Sequence, residues 1–326
     1  PICNHSAIAN LFKQFFIYFP MKKKKLVVQI PCLNEEQGLT SVIKNIKKKI
    51  PKCKIIVYDN GSEDNSIEVA LQNGVEVRNV EKKGKGNVVR RMFSDQIDAD
   101  YFIMIDGDNT YDVSNLDKML NLMIKFNYDM IIGRRIHKDS LAYRKGHVIG
   151  NRFFSNFVNF FFGNDITDIF SGLRIFSKRF VKTFPLYSQE FEIEAELTIH
   201  ALEQKMSLAE YDCFYSARTE GSFSKLNTIK DGIKILKLIL ILIKDEKPLL
   251  FFSLFSLVFL ILSLFTGLPI VRDFYTTGLV ERIPSAILAG CLMILSFLSF
   301  FSGLILDIIK KVRYENKRMN FLLFKD

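Results

Sequence analysis

Short strand-like runs alternate with amphipathic segments over the first 132 residues of the chain. Five runs predict β-strands: Leu26–Ile30, Ile55–Tyr58, Glu76–Asn79, Tyr101–Ile105 and Asp129–Ile132. Four segments with helical spacing lie between them: Glu36–Ile50, Asn65–Asn73, Asn87–Ala99 and Leu116–Asn127. Strands that alternate with helices of about 10–15 residues are typical of a parallel, doubly wound α/β sheet. In such a sheet ligands bind beyond the carboxyl ends of the strands, where Asp59, Asp106 and Asp108 lie.

Two later segments are long, apolar and free of charge. Pro248–Val271 and Ile283–Leu306 each run for 24 residues without a charged side chain. As a helix each spans roughly 36 Å, which is enough to cross a hydrocarbon core of about 30 Å. A pair of buried core helices is the alternative, but such helices rarely stay uncharged for so long. The short connector Arg272–Arg282 therefore predicts a transmembrane hairpin with both ends on one side.

Basic residues crowd the two outer ends of this hairpin: Lys237, Lys244, Lys247, Lys310, Lys311, Arg313, Lys317 and Arg318. The positive-inside rule assigns such ends to the cytoplasm. We therefore expect an integral protein of the plasma (inner) membrane with a cytoplasmic head, or of the endoplasmic reticulum membrane if the source is eukaryotic.

Two further segments, near 151–163 and over 225–247, have one apolar and one polar face. Either segment has the pattern of a helix that packs onto the sheet. The dense phenylalanines of the first and the basic face of the second favour helices that lie in the membrane interface.

Composition and charge narrow the class of protein. Of the 326 residues 48% are hydrophobic, and 45 Lys and Arg against 35 Asp and Glu give a net charge of +10. The apolar content excludes an intrinsically disordered chain. Five scattered cysteines and four histidines argue against a disulfide scaffold and a structural zinc site. The anionic cytoplasmic leaflet accounts for the positive charge, and without a nucleic-acid motif we expect no nucleic acid as partner.

These patterns divide the chain into five parts. Met21 is the first methionine, and we expect the natural start there, with residues 1–20 an extension of unknown role. The other parts are an α/β domain (21–224), an amphipathic interfacial helix (225–247), two transmembrane helices (248–309) and a basic cytoplasmic tail (310–326).

Asp106-Gly107-Asp108 follows an apolar strand and brings two carboxylates to one edge of the sheet. Carboxylate oxygens at this spacing suit Mg²⁺ or Mn²⁺ held together with substrate phosphates. Asp and Gly are also common turn residues, and an acidic pair at a strand end equally serves a phosphatase or a nuclease. The motif alone therefore predicts a cation site without fixing the reaction.

Three more polar segments follow the predicted strands: Pro31–Glu36, Asp59–Asp64 and Gly84–Asn87. The third opens a helix, where backbone N–H groups and a lysine can meet a diphosphate. The first strand is not followed by GxGxxG, and the P-loop pattern is absent from the sequence. Enzymes that bind NAD or ATP through those motifs are therefore poor fits.

Taken in order, PCLNEE, DNGSEDNS, GKGNVVR and DGDNTYD resemble the family-2 glycosyltransferases, whose nucleotide-sugar-binding A-type fold is a mostly parallel Rossmann-like sheet. The stretches Thr167–Arg174, Phe191–Glu194 and Gly221–Lys225 narrow the resemblance to the polyprenyl-phosphate glycosyltransferases. That group contains dolichyl-phosphate mannose synthase. The resemblance covers roughly residues 26–309, and it is the joint pattern that is specific.

The resemblance implies how the donor is bound. Pro31, Asn34 and Glu35 match the first nucleotide-contacting loop, and Asp59 matches the aspartate that hydrogen-bonds the base. Lys85 lies in the loop near the nucleotide phosphates.

The metal is implied in the same way. Asp106 and Asp108 match the metal-binding pair, with Asp106 also beside the nucleotide, and the implied cofactor is Mg²⁺ or Mn²⁺. Thr110 stands where mannose synthases often carry a metal-binding glutamine, which leaves the third protein ligand open.

For the acceptor, Arg134 and Arg144 fall near family positions that hold the lipid phosphate, and Arg218, Ser222 and Lys225 resemble the later basic loop. The alternative for these cations is a solvated or lipid-facing surface charge. Asp168 either orients the acceptor or a basic partner, or caps the following turn.

The implied reaction inverts the anomeric carbon as a sugar moves from a nucleotide sugar to a polyprenyl phosphate for envelope glycan or glycoprotein assembly. A phosphate monoester is largely dianionic at neutral pH, so the attacking group needs no strong base. DGDNTYD departs from the DADLQHPP wording of mannose synthases, which favours UDP-glucose or UDP-N-acetylglucosamine over GDP-mannose. The choice between an undecaprenyl and a dolichyl carrier, and the formation of a homo-oligomer, stay open.

Three other functions are alternatives to this reaction. A processive polysaccharide synthase carries QxxRW, which a chain with no tryptophan lacks. Transfer to a glycolipid or protein hydroxyl needs a positioned base, for which Asp168 is the clear candidate. A non-catalytic membrane scaffold is disfavoured by the intact Asp59, Asp106 and Asp108.

Overall fold

The computed structural model describes residues 24–323 apart from residues 96, 138–144, 164, 186–192, 217–240 and 242–243. The described strands are β1 (Leu26–Cys32), β2 (Lys54–Asp59), β3 (Glu76–Asn79), β4 (Tyr101–Met104), β5 (Met130–His137), β6 (Arg174–Ser177) and β7 (Leu208–Tyr215). The described helices are α1 (Glu36–Lys49), α2 (Ser66–Gln72), α3 (Lys85–Ser94), α4 (Leu116–Phe126), α5 (Lys145–Phe162), α6 (Lys178–Thr183), α7 (Ile193–Glu203), α8 (Pro248–Thr277) and α9 (Ile283–Leu323).

The strands form one mostly parallel sheet in the order β3-β2-β1-β4-β6-β5-β7. Strand β6 is antiparallel to both of its neighbours, β4 and β5, while the other pairs are parallel. The predicted α/β class and the mostly parallel sheet are confirmed. Cys32 at the end of β1 is in register with Asp59 at the end of β2, so the loops after these strands leave the sheet side by side.

Two strands were not predicted from the sequence, because neither has a plain strand pattern. Strand β6 has only four residues and begins with the buried Arg174. Strand β7 lies at the edge of the sheet, and most of its side chains are half-buried or exposed. Helix α3 was expected over residues 87–99, but it runs from Lys85 to Ser94 because Asp95 adopts an extended backbone.

Each face of the sheet carries its own buried apolar cluster. Side chains alternate between faces along a strand, so Val27 packs with helices α3, α5 and α7, and Val28 packs with α1 and α4. Burial on both faces is what a parallel sheet requires.

The segment near 151–163 belongs to helix α5. Phe154 and Val158 are fully buried in the core, while Phe160 on another face is 83% exposed. The helix thus packs one face onto the domain, and contact of its outer face with a membrane stays a prediction. Of the other amphipathic segment, 225–247, all but residues 241 and 244–247 lies outside the described residues.

The two charge-free segments form the helices α8 and α9, each long and apolar enough to cross a membrane. They pack closely through small residues: the Ser263 hydroxyl donates to the Ala289 carbonyl at 2.8 Å, and Gly303 lies against the backbone of Leu249. Most of their other side chains face outward, which fits a hairpin whose surroundings are apolar. The packed helices α8 and α9 are the helical hairpin that the sequence predicted.

Helix α9 continues to Leu323 instead of ending near Leu306, and its last turns contact the α/β domain. The Lys317 ammonium pairs with Glu203 at 2.7 Å, and the ring of Phe321 is 95% buried in the domain core. The Arg179 guanidinium lies over that ring at 4.9 Å. Most of residues 310–326, which were expected to form a basic tail, are therefore helical. Apolar residues of this segment, such as Phe321, pack against the α/β domain.

Candidate active site

The candidate site begins where β4 ends. Asp106, Gly107 and Asp108 leave the sheet between the ends of β1 and β6, the strands that flank β4. Asp108 is 3% exposed, and its carboxylate accepts the Thr110 hydroxyl at 2.6 Å. Asp106 is more open and contacts charged neighbours. The two carboxylates thus share one loop in different environments.

Two glycines allow this loop to be packed closely from both sides. A Cβ atom at Gly38 in α1 would lie 2.8 Å from the Gly107 carbonyl oxygen. A Cβ atom at Gly172 would lie 2.1 Å from Oδ2 of Asp106. Both distances are far below van der Waals contact, so each position excludes a side chain. No role was predicted for either glycine, because each contact joins segments that are distant in sequence.

Lys85 reaches the site from the first turn of α3. Gly84 precedes it with φ at 116°, a backbone angle that favours glycine. The Lys85 ammonium lies 2.6 Å from Oδ1 of Asp106 and 2.6 Å from Oε1 of Glu194. Both contacts are largely shielded from solvent. Glu194 was noted in the sequence as part of a motif, but no role was predicted for it.

The loops after β1 and β2 are joined by hydrogen bonds. The backbone N–H of Asn34 donates to the Ser62 hydroxyl at 2.9 Å, and the backbone N–H of Glu63 donates to Oδ1 of Asn34 at 2.8 Å. The Glu35 amide donates to the Ser66 hydroxyl at 2.8 Å. Asn34 and Glu35 therefore lie beside the segment that follows Asp59. Pro31 is the penultimate residue of β1 and is half-buried.

Asp59 is 3% exposed at the end of β2. Its Oδ2 accepts from the amides of Gly61 and Ser62, at 2.9 and 3.1 Å. Its Oδ1 is buried and has no hydrogen-bond partner among the described residues. A buried acceptor of this kind is costly unless a partner completes it, which is typical of a ligand-binding position.

Asn60 fixes the loop that carries Lys85. Its side-chain amide donates to the carbonyls of Val80 and Lys82, at 2.9 and 2.8 Å, and its Oδ1 accepts from the Gly84 amide at 2.7 Å. One side chain thereby ties the end of β2 to the start of α3. This function was not predicted, because an asparagine after a strand more often forms only a local turn.

The two adjacent arginines of β5 have different partners. The side chain of Arg134 pairs with Asp212 on β7, with Nε 2.5 Å from Oδ1, and is 40% exposed. Arg135 makes a bidentate contact with Asp168, at 2.6 and 2.8 Å, and its guanidinium lies over the Tyr215 ring at 5.5 Å. Arg135 rather than Arg134 is therefore the partner of Asp168.

Asp168 is occupied by these contacts. It also accepts from the Arg135 amide and from the Asn151 side chain. Burial raises the pKa of Asp168, but the Arg135 guanidinium and the hydrogen bonds outweigh burial and hold the pKa below its usual range. Asp168 is thus an ionised carboxylate whose oxygens are engaged by Arg135 and Asn151, and its role in orienting a basic partner stays a prediction.

Tyr111 lies near both Asp106 and Arg135. Its hydroxyl accepts from the Gly172 amide at 2.7 Å, and Gly172 in turn abuts Asp106. Burial raises the pKa of Tyr111, with the Arg135 guanidinium acting against this shift and the Asp106 carboxylate adding to it. Both charges therefore lie near the same phenol. The other proposed acceptor contacts, Arg144, Arg218, Ser222 and Lys225, lie outside the described residues.

The acidic pair has the ligand chemistry for a hard divalent cation. Within the described parts of the chain, no three His, Cys, Asp or Glu side chains form a group able to hold a metal ion. Asp106 and Asp108 would therefore supply two carboxylates, and the remaining ligands would come from water and phosphate oxygens. Mg²⁺ is usually bound in this way.

Comparisons with known proteins place the chain among glycosyltransferases. A family model described as "Glycosyl transferase family 2" matches residues 27–184. An uncharacterized protein of Shigella flexneri is 47% identical, over 48% of this chain and 96% of its own length. A dolichyl-phosphate hexose transferase of Haloferax volcanii is 27% identical, over 68% and 95% respectively. A UDP-N-acetylglucosamine–dolichyl-phosphate N-acetylglucosaminyltransferase of Methanococcus voltae is 25% identical, over 68% and 97%.

Among solved structures, the fold is similar to glucosyl-3-phosphoglycerate synthase of Mycobacterium tuberculosis in complex with Mn²⁺, uridine diphosphate and glucosyl-3-phosphoglycerate. The TM-score is 0.54 with 19% sequence identity, and the match covers 67% of this chain and 80% of the other. This likeness is one of fold.

Proposed function

The chain belongs to glycosyl transferase family 2, and we propose that it moves a sugar from a UDP-sugar to a polyprenyl phosphate at a membrane surface. The observation that carries the proposal is the cluster of Asp106, Asp108 and Lys85 at the sheet edge, one tyrosine away from the Arg135–Asp168 pair. A candidate cation site at Asp106 and a half-buried arginine, Arg135, thus lie near the same tyrosine. Two phosphate-bearing substrates need such a pair of sites.

The donor would lie across the loops after β1 and β2. The unpartnered Oδ1 of Asp59 is suited to accept a hydrogen bond from the imide N–H of a uracil base. Asn34 and Glu35 line the neighbouring loop, and Lys85 offers an ammonium to the diphosphate. A relative named for its use of UDP-N-acetylglucosamine, and a similar fold in complex with UDP, support a UDP-sugar as donor.

Asp106 and Asp108 would hold Mg²⁺ or Mn²⁺ together with the donor diphosphate. When bound, the cation neutralises the negative charge that develops on the leaving diphosphate. The contribution of the chain is to hold both carboxylates in place, with the Thr110 hydroxyl on Asp108 and the glycine contacts around the loop. A structural neighbour with Mn²⁺ bound supports a divalent cation.

The acceptor would present its phosphate to the basic side of the site. A phosphate oxygen attacks the anomeric carbon, the bond from that carbon to the diphosphate oxygen breaks, and the nucleoside diphosphate leaves. No proton has to move, which agrees with an Asp168 that is engaged by Arg135. We propose Arg134 and Arg135, with Arg144, Arg218, Ser222 and Lys225, as the cations and hydroxyl around this phosphate. Relatives that act on dolichyl phosphate support this acceptor class.

The hairpin of α8 and α9 would hold the catalytic domain, residues 21–224, at the surface where the lipid phosphate lies. The basic residues at the outer ends of the hairpin support a cytoplasmic domain. A lipid carrier cannot leave the bilayer, so the enzyme has to be held there as well.

The test measures label transfer by detergent-solubilised protein from a panel of UDP- and GDP-sugars to polyprenyl phosphate, with Mg²⁺ or Mn²⁺. We expect transfer from a UDP-sugar, loss with EDTA, and a loss of at least 100-fold in Asp108→Ala. Asp117→Ala, an exposed aspartate in the first turn of α4, is the matched control and should transfer at the parent rate. Metal-dependent binding of UDP without transfer to the lipid phosphate would favour a hydroxyl acceptor. Neither binding nor transfer would favour a scaffold.

A further inference from the structure

Lys85 has two carboxylate partners, and only one of them belongs to the predicted metal pair. Its ammonium lies 2.6 Å from Asp106 and 2.6 Å from Glu194, and the side chains of Lys85 and Glu194 are 13% and 5% exposed. Charges so shielded from water interact strongly. Lys85 is therefore held by a salt bridge on each side.

Glu194 is placed by elements that do not depend on the donor. It is the second residue of α7, a helix whose first turn favours negative charge. The fully buried Arg174 lies near it and interacts with it electrostatically. Arg174 is itself fixed by hydrogen bonds to the Ser171 carbonyl and the Thr198 hydroxyl, at 2.9 and 2.8 Å. The carboxylate thus has a rigid setting.

The two partners of Lys85 differ in what they do when substrate arrives. Asp106 has to offer an oxygen to a cation, and the positive charge of that cation repels the ammonium paired with the same carboxylate. A buried ammonium that lost its sole partner would be costly and would leave its position. Glu194 prevents this, since it keeps one salt bridge with Lys85 after Asp106 changes partner.

We propose that Glu194 is a positioning residue that acts through Lys85, holding the ammonium at the diphosphate of the nucleotide sugar when Asp106 turns to the metal. The inference rests on the proposed donor, and it adds to the site a carboxylate that neither binds metal nor touches substrate. The Lys85 ammonium then replaces its salt bridge with Asp106 by a contact with a phosphate oxygen of the donor. Its salt bridge with Glu194 is kept.

The test is a double-mutant cycle on UDP affinity, measured by calorimetry on the full-length protein in detergent with saturating Mn²⁺. Glu194→Gln keeps the size of the side chain and removes its charge. We expect it to weaken UDP binding about tenfold, the loss expected for one charge-assisted hydrogen bond, and Lys85→Met to weaken binding at least as much. The double variant should bind UDP no more weakly than Lys85→Met alone, because Glu194 acts through Lys85.

Glu196→Gln is the matched control. Glu196 is two residues further along α7, on the opposite side of the helix, so the same substitution removes the same charge elsewhere and should leave UDP affinity unchanged. Glu194→Asp, which keeps the charge on a shorter side chain, should bind UDP with an affinity between those of the parent and Glu194→Gln.

Two results would overturn the inference alone: parent-like UDP affinity in Glu194→Gln, or losses that simply add in the double variant. A parent protein that binds no UDP in Mn²⁺ would overturn the proposed donor and this inference with it. Melting temperatures of all variants separate a loss of affinity from a loss of folding.

Discussion

At the scale of single residues, the geometry of the site depends on glycines, which have no side chain, as much as on charged residues. Gly172 lies directly against the Asp106 carboxylate, and its amide donates to the Tyr111 hydroxyl at 2.7 Å. One backbone segment therefore sets the position of a predicted metal ligand and of the phenol that lies near both Asp106 and Arg135. A methyl group at this position has no space.

Gly172→Ala is expected to lower sugar transfer at least 100-fold, because the added methyl group displaces Asp106 and misplaces a reacting centre. The measurement is the initial rate of label transfer with saturating Mn²⁺. Gly150→Ala in α5 is the matched control, since nothing lies within 4 Å of the Cβ it adds. Equal rates in the two variants would show that the close contact with Asp106 does not matter for catalysis.

The sequence identified residue types at this scale better than it identified pairings. The positions of Asp59, Asp106 and Asp108 at the strand ends, and of Lys85 at the start of a helix, follow from the alternation of strands and helices. That Arg135 is the partner of Asp168 does not follow, because neighbouring strand residues point to opposite faces and the sequence does not say which face holds the site. The contact of Lys85 with Glu194 joins α3 to α7, and no local pattern predicts it.

At the scale of elements, helix α9 joins the membrane hairpin to the catalytic domain. Its 41 residues are about 62 Å long, roughly twice the thickness of a hydrocarbon core, so about half of its length would extend beyond a membrane that its apolar part crossed. The end of this extension contacts α7: Lys317 pairs with Glu203, and the Arg318 side chain donates to the Gln204 carbonyl at 2.7 Å. The hairpin thus reaches the domain through a continuous helix.

The contact between the end of α9 and the α/β domain contains buried ionisable groups whose pKa values are shifted in opposite directions. Burial and the nearby Glu246 raise the pKa of Glu203 from 4.5 to about 7, while Lys317 lowers it. Tyr314, whose hydroxyl is hydrogen-bonded to Glu246, and Lys310 and Arg313, which pair with Glu246, surround the same point. Burial and Lys317 lower the pKa of His200 from 6.5 to about 3.

These shifts predict a pH dependence of stability with a definite sign. A raised carboxyl pKa adds stability that is complete below pH 4.5 and is lost as the pH rises through about 7. A lowered histidine pKa adds stability above pH 6.5 that is lost as the pH falls towards 3. Between about pH 4.5 and 6.5 the two slopes oppose each other, each at most about 1.4 kcal/mol per pH unit.

In Glu203→Gln, the loss of stability that His200 causes as the pH falls is therefore no longer opposed by the gain from Glu203. We expect its melting temperature, followed by circular dichroism, to fall further below that of the parent as the pH is lowered from 7.5 to 5. Glu68→Gln on the exposed side of α2 should follow the parent at every pH. A constant difference between Glu203→Gln and the parent across this range would contradict the assigned shift.

The element scale also shows where sequence patterns stop being informative. Alternating strands and helices were predictable up to β5, because most of them bury a clear apolar face. Strand β6 begins with a buried arginine whose hydrogen bonds come from distant segments, and β7 is an edge strand, so neither has a regular pattern. The basic residues after Leu306 indicate a solvated tail in the sequence alone, and Phe321 is buried only through tertiary contact.

At the scale of the whole molecule, a catalytic domain of family 2 and a hairpin of two apolar helices form one chain. The domain alone would serve any nucleotide-sugar transfer. The hairpin, the helix that joins it to α7, and the basic residues at its outer ends favour an acceptor that stays in the membrane. This combination supports the proposal that a lipid phosphate is the attacking group.

The most direct test compares polyprenyl phosphate with the unphosphorylated polyprenol as acceptors, with the parent protein in liposomes and a UDP-sugar and Mn²⁺ supplied. Mass spectrometry of the extracted lipids gives the mass of any product. We predict that polyprenyl phosphate gains the mass of one sugar residue and that polyprenol gains none. Glycosylated polyprenol, or no product from the phosphate while UDP binds, would contradict the account.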